Sequence, residues 1–532
     1  MLLAVSAPRS ASAAALACLL AWTACDFGIP GVPPGVGEDR TGIHLPALHA
    51  EPDPAAGGRI VDAAGREVIL RGVNVNAFVE YWQYSPSRFT TYPFTAADAD
   101  LLQQMGMNAV RLLISWSRVE PAPGAYDEAY LDGVEQAVGL LESRGIYAII
   151  DLHQDAWGPS LAARPGEDCT GVGEPAFGWD GAPEWATQDG GWPHCVSGER
   201  EFGDAVMAAF QAFWDDAPGP PDPGGGPGVG IRTRYVRMLQ HVAARFAPRD
   251  SVAGYDVMNE PNAFYLIPGQ LAALGALYEA AIPAIRAGEA SVGAPPRLVL
   301  FEPGITWAST GRGAPKPFAH DDQVVYSPHI YQGGLDSQPL DANVFQKART
   351  EAVAYGGAPV FVGEWGSGPE RAADPSDDYF DKHQALQDQF RFGAALWTWR
   401  EACGDPHKSA DWRAGRIPTV WGFFEVDCAT NSIAGRRAPL TGKMTRGLLR
   451  AGASPLASVG YDPGARVLSA SGTSASAATF VAFLPGPGAP LHDGPWLTGS
   501  GVDAYSFKPA PGGGIYVFGW TRPGAWSLSL VR

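Results

Sequence analysis

From residue 59 onward, short apolar runs rich in β-branched residues alternate with amphipathic stretches of helical period. The runs at 69–76, 109–116, 147–151, 252–258, 297–301, 324–327, 360–363 and 394–397 predict eight buried strands. Helical patterns fall between most of them. One opens at Thr95, where Thr95 and Asp98 form a capping-box pair, and closes near Gly106. Others cover 127–144 (ended by Gly145), 270–287, 343–355 and 377–390. Strands alternating with helices predict an α/β fold, a (β/α)8 TIM barrel whose strand ends converge on one mouth. A doubly wound open sheet is the alternative. It is disfavoured because no glycine-rich phosphate loop appears and polar residues follow nearly every strand.

Two insertions interrupt the pattern. Residues 157–199 carry Trp179, Trp185 and Trp192 with Cys169 and Cys195, and are expected to wall the mouth. Residues 218–230, nearly all Pro, Gly and Asp, read as a flexible excursion. After residue 451 the texture changes to short strand-like runs between Pro/Gly turns, with no helical period. That predicts a C-terminal all-β sandwich over 451–532, behind a catalytic barrel over 51–450.

The N-terminus changes the picture of where the protein works. Arg9 precedes an Ala/Leu-rich stretch, 11–24, too short to span a bilayer reliably, so 1–24 read as an export signal. The small residues Thr23-Ala24 before Cys25 resemble a bacterial lipobox, although Trp22 stands where Leu is usual. Simple secretion and lipid anchoring at the bacterial cell envelope both remain open, with 25–50 as a Pro/Gly-rich tether. Cys169, Cys195, Cys403 and Cys428 then suggest two disulfides with three possible connectivities, of which local pairing closes the shortest loops. Metal ligation is the rival, weakened by the lack of a CxxC or clustered histidines. At 532 residues and 46% hydrophobic composition the chain can bury a large core. Its net charge of −18 disfavours nucleic acid as a partner. A monomer is expected.

Candidate chemistry stands at the strand ends. Asn259-Glu260-Pro261-Asn262 and Gly363-Glu364-Trp365-Gly366 each deliver a glutamate where a buried run emerges. Most glutamates are solvated surface residues, but two at such positions can serve glycosidic cleavage, one protonating the leaving oxygen while the other attacks or activates water. That chemistry asks for a raised pKa at Glu260 and a lowered one at Glu364. Arg111, inside an apolar strand, needs a carboxylate, and Glu364 is the functional choice. Tyr331 could donate to the same glutamate. His153 and Asp155 form a polar rim after the third strand, Asn259 offers an amide to a sugar hydroxyl, and Trp397 and Trp399 offer aromatic faces. Glu302 is another strand-end carboxylate, ranked lower because it lacks an adjacent amide.

Arg111, His153, Asn259-Glu260, His329, Tyr331, Glu364 and Trp397, in that order, resemble the pattern of glycoside hydrolase family 5 over roughly residues 59–450. The resemblance implies a retaining (β/α)8 enzyme with Glu260 as acid/base and Glu364 as nucleophile. It also implies that His153, Asp155, Asn259, His329 and Trp397 hold the sugar nearest the cut, with no cofactor or metal. His153-Gln154-Asp155, the Trp179–Trp185 stretch WDGAPEW, the Cys403-Gly404-Asp405-Pro406 run and the appended sandwich look like endoglycoceramidases within that family. Those enzymes cut between glycan and ceramide, so a glycolipid or oligosaccharide substrate and a membrane or micelle surface are expected partners. Relatives acting on galactosyl or steryl glycolipids share this layout. Residues 74–83 offer Glu80 and no lysine, leaving the head group open. A retaining endoglucanase or mannanase is one rival reading, and a non-catalytic carbohydrate-binding surface lipoprotein another. The retaining reading predicts carboxyl groups about 5–5.5 Å apart.

Overall fold

The computed structural model describes residues 44–221, 228–486 and 497–531. The export signal, the lipobox-like Cys25 and most of the tether lie outside these residues, as does the middle of the 218–230 insertion. The base of that insertion is closed by Gly219 N–H donating to the Val229 carbonyl at 2.8 Å.

Eight strands form the barrel: β1 (Arg71–Phe78), β2 (Ala109–Ser115), β3 (Tyr147–His153), β4 (Val252–Asp256), β5 (Leu298–Phe301), β6 (Val324–Tyr326), β7 (Phe361–Trp365) and β8 (Gly393–Leu396). They run parallel in the order β6-β5-β4-β3-β2-β1-β8-β7. Parallel bridges Tyr326–Val360 and Ile330–Trp365 close β6 onto β7. All eight fall on the runs that the sequence marks. The Thr95/Asp98 capping box forms at the N-terminus of helix Ala96–Gln104.

Period-two alternation layers the barrel interior. Ala109, Ile149, Leu298 and Leu300 belong to an apolar cluster at its base. Two residues further along come Arg111 and Asp151 on the same strands and Glu302 just past the end of β5. The barrel is thus an apolar plug with a charged layer on top, directly beneath the mouth.

A sandwich packs against the barrel. Its four-stranded sheet is wholly C-terminal: Leu456–Asp462, Val467–Ser474, Gly524–Val531 and Leu497–Ser500. Its seven-stranded sheet is not. Strands Leu48–Glu51, Arg59–Asp62 and Arg66–Val68 join it, the last pairing antiparallel with Leu448–Ala453. The hydrophobic pattern assigns 48–50 to the tether and 51–68 to the barrel. Ladder pairing between residues nearly four hundred apart leaves no mark in local periodicity, and here it redraws that boundary. Leu449, Phe480, Val517, Trp526 and Leu528 fill the space between the two sheets, with Ile69 reaching in from the barrel side.

Candidate active site

Glu260 follows β4 in a tight turn and adopts a positive φ of 37°. Both sides of its peptide are pinned. Its N–H donates to Glu302 Oε2 at 2.8 Å, and its carbonyl accepts from the Gln154 amide at 3.0 Å. A left-handed backbone at a non-glycine residue is unfavourable, so these bonds hold what the chain alone would not. Glu364 lies within β7 and is set by two donors: Arg111 Nη1 at 3.0 Å and the Tyr331 hydroxyl at 2.7 Å. His329 stands between the pair, with Nδ1 2.8 Å from Glu260 and 3.6 Å from Glu364. One carboxylate oxygen from each glutamate and a ring nitrogen of His329 all lie within 4.8 Å of one another. Both carboxylates therefore face one point of the cleft, as cleavage by a carboxylate pair requires.

Arg111 is not the private partner of Glu364. Fully buried, it also bonds Asp151 at 2.9 Å, Asp256 at 3.0 Å and Glu302 at 2.8 Å, with Asn74 and Asn259 completing its shell. One guanidinium divided among four carboxylates cannot depress any of them strongly. Burial therefore wins at Glu364 and pushes its carboxyl above the ordinary value, opposed by His329 and Arg111 and reinforced by Glu260. This corrects the expected lowering. Burial, reinforced by Glu302, also pushes Asp256 well up against the pull of Arg111. At His329 and His153 burial acts the other way, but surrounding carboxylates outweigh it and raise both imidazoles well above their usual value. Arg111, His153 and His329 thus face Asp151, Glu302 and the Glu260/Glu364 pair. Glu364, with two donors aimed at it, is the member suited to stay anionic.

The sequence-marked residues come together. A cavity of about 430 Å3 at the C-terminal ends of the strands is lined by His153, Asp155, Asn259, Glu260, Tyr331, Glu364 and Trp397. Arg111 and His329 sit beneath it, buried. His153 stacks on the Trp397 ring at 5.6 Å and bonds Asp151 through Nδ1 at 2.8 Å, leaving Nε2 3.7 Å from Asp155. Burial raises Asp155, but His153 and Arg200 outweigh it and hold the carboxyl at about 2. Asn259 is committed within the protein more than its sequence position suggests, its oxygen on Arg111 and its amide on the Gln154 carbonyl at 3.1 Å. Trp399 is core, buried with its Nε1 donating to Asp98 at 3.0 Å.

The structure also gives central places to residues that the sequence ranks low or leaves unassigned. Glu302 belongs to the centre of the site rather than beside it, joining the Glu260 backbone, Arg111 and His329. In the sequence Asp151 ends the apolar run 147–151 and Asp256 interrupts the run 252–258. Arg200, Trp421 and His407 line the cavity from loops. Arg200 lies 3.3 Å over the Trp179 ring, which brings the first insertion to the wall. The histidine and carboxylate clusters of the mouth, such as His153/Asp155/Asp180, are dense enough to ligate an ion. Arg111 and Arg200 already engage several of these carboxylates. Both disulfides form locally, Cys169–Cys195 and Cys403–Cys428, each anchoring one of the loops that supply this wall.

The family model Cellulase (glycosyl hydrolase family 5) matches residues 61–402. A solved endogalactoceramidase structure is 33% identical with a TM-score of 0.78, covering 92% of this chain and 100% of that one. Endo-glycoceramidase II from Rhodococcus sp., solved as a five-membered iminocyclitol complex, is 25% identical with a TM-score of 0.66, covering 89% and 99%. Endoglycoceramidase of Cyanea nozakii is 27% identical over 313 residues, 52% of this chain and 55% of that protein. Endoglycoceramidase I of Rhodococcus hoagii is 29% identical over 297 residues, 52% of each. The chain spans about half the length of the curated relatives it matches.

Proposed function

The chain belongs to glycosyl hydrolase family 5, and we propose that it is a retaining β-glycosidase cutting between glycan and ceramide in glycosphingolipids. The observation that carries this reading is the Glu260/Glu364 pair in a cavity lined both by polar His153, Asp155 and Arg200 and by apolar Trp397, Phe202, Ile305, Ala308 and Leu335. A glycolipid offers both kinds of surface.

In the first step a Glu364 oxygen attacks the anomeric carbon while Glu260 gives its proton to the ceramide oxygen. The glycosidic C–O bond breaks, ceramide leaves as an alcohol, and the glycan is held as an ester on Glu364. Water then attacks the same carbon, yields its proton to Glu260, and frees Glu364 as the carboxylate. Two inversions retain the β configuration. Tyr331 and Arg111 orient Glu364, His329 spaces the pair, and His153, Asp155 and Asn259 bind hydroxyls of the sugar lying against Trp397.

The head group is read as galactosyl, supported by the 33% identity to the endogalactoceramidase over 92% of the chain. Phe202 and Leu335 are 55% and 53% exposed, and Leu266, two residues from the Phe264 ring that stacks on Phe202, is 76% exposed. These apolar tips fit a membrane or micelle surface presenting the lipid. The enzyme is further proposed to act as an exported monomer, secreted or lipid-anchored at the cell envelope. Its two disulfides support an oxidising compartment. Lipid labelling abolished by Cys25→Ser would separate anchoring from secretion.

The test is incubation with defined galactosyl- and glucosyl-type glycosphingolipids in detergent, followed by chromatography. Ceramide plus an intact glycan is expected, faster from the galactosyl series. Release of monosaccharides alone, or cleavage confined to cellulose-type polymers, would overturn the reading.

A further inference from the structure

His407 is the one cavity-lining residue of the Cys403-Gly404-Asp405-Pro406-His407 loop, and its surroundings fix it closely. Its ring meets Trp179 edge-on at 4.3 Å and Trp421 edge-on at 5.1 Å, and lies 5.8 Å from the Trp397 ring. Buried Asp405 accepts from its backbone N–H at 3.0 Å, and Nδ1 lies 2.7 Å from the same oxygen. The loop is held at both ends. The Cys403–Cys428 disulfide staples it, and Gly404 packs so tightly that a Cβ there would lie 2.5 Å from the Phe89 carbonyl. Trp421 is fixed in turn by its N–H on Glu401 at 2.7 Å and its Nε1 on the Ser367 carbonyl at 2.6 Å.

This is much constraint for a side chain that makes no hydrogen bond of its own across the cavity. With Nδ1 committed to Asp405, Nε2 is the free ring nitrogen, and among the described residues none bonds to it. Burial pulls the imidazole down to about 3 and pushes Asp405 up to about 7, so the ring is uncharged near neutrality. An uncharged imidazole with one nitrogen anchored accepts or donates at the other, and a sugar hydroxyl can do either.

We propose that His407, oriented by Asp405, is a specificity-determining residue whose Nε2 hydrogen-bonds one hydroxyl of the sugar lying against Trp397. The proposal rests on the glycosidase reading but not on its lipid part. Asp405 is the positioning residue and does not itself meet the sugar.

The test is a cycle between residue and hydroxyl. Aryl β-galactosides or β-glucosides, whichever the wild type turns over faster, are made lacking one hydroxyl at a time. Removing the partner hydroxyl should lower wild-type kcat/KM by about 10- to 100-fold, the range for leaving a buried hydrogen-bonding group unpaired. In His407→Phe, which keeps a ring among the tryptophans, the same deletion should change kcat/KM by less than about 3-fold, since no partner remains to be unpaired. His407→Gln, which restores a polar group, should recover part of the coupling, and His407→Leu replaces the Phe variant if that does not fold. Equal penalties in wild type and variants at every position would overturn the proposal. Failure to release ceramide from glycolipids, with this coupling intact, would instead count against the lipid reading alone.

Discussion

The floor and the wall of the cleft are built by different means. The floor is strand-borne: Arg111, Asp151, Glu302 and Glu364 stand on or immediately after parallel strands, and an apolar plug supports them. The wall is loop-borne: Trp179, Arg200, His407 and Trp421 come from insertions that two disulfides hold against the barrel. Strand geometry supplies the reacting pair with fixed spacing, whereas loops supply the shape that selects a substrate. Changes to the floor should therefore act on kcat or on folding, and changes to the wall mainly on KM and selectivity.

The largest effect falls on the floor. Glu364→Gln should lower kcat by at least about 10⁴-fold, as removal of a covalent nucleophile does. Glu260→Ala should instead be partly rescued by azide, giving a β-glycosyl azide detectable by mass spectrometry. Next is Arg111→Met, which leaves buried carboxylates without their shared cation. Loss of about 3–5 kcal/mol in urea unfolding is expected. A stable, inactive Arg111→Met would mean that the layer is less dependent on its cation than the contacts imply.

On the wall, Cys403→Ser/Cys428→Ser opens a 25-residue loop and should lower stability by about 3 kcal/mol. Steady-state kinetics of the folded fraction should show KM rising more than kcat falls. An equal fall in kcat would erase the distinction between wall and floor. Glu302→Gln returns to the floor with a smaller effect. Burial raises Glu302, but His329, Arg111 and the Glu260 N–H outweigh it and keep it ionised. An amide there still accepts from the Glu260 backbone but removes a negative charge beside the pair. Both limbs of the kcat/KM pH profile should move to lower pH, with a loss of about 10-fold.

The smallest effect lies behind the wall. Burial pushes Glu401 up to about 7, against the pull of Lys408. A carboxyl raised in the folded state stabilises fully below its unfolded value, and that contribution is lost as pH rises through about 7. Urea midpoints of the wild type should fall across that window more steeply than those of Glu401→Gln.

The same division explains what the sequence disclosed. All eight barrel strands were legible because a buried parallel strand is a continuous apolar run, and Glu260 and Glu364 stood out because each ends one. Glu302 also ends one, yet was ranked low for lacking a neighbouring amide. Its importance comes from three partners on or just past other strands, and no local pattern shows them. The Glu364 shift runs opposite to the sequence expectation for a related reason. Pairing Arg111 with one carboxylate is the economical guess from sequence, and only the fold reveals four. His407 lay one residue beyond a motif already marked, but the three tryptophans around it converge from separate segments. The N-terminal strands of the sandwich sheet were likewise hidden, since strand periodicity specifies a face and not a partner.

The most direct test of the central claim is to trap the intermediate. A 2-deoxy-2-fluoro β-galactosyl fluoride should form the ester on Glu364 and hydrolyse slowly, and peptide mass spectrometry should find the added sugar on that residue alone. Label on Glu302 or Glu260, or no label with the α-anomer released first from substrate, would contradict the account.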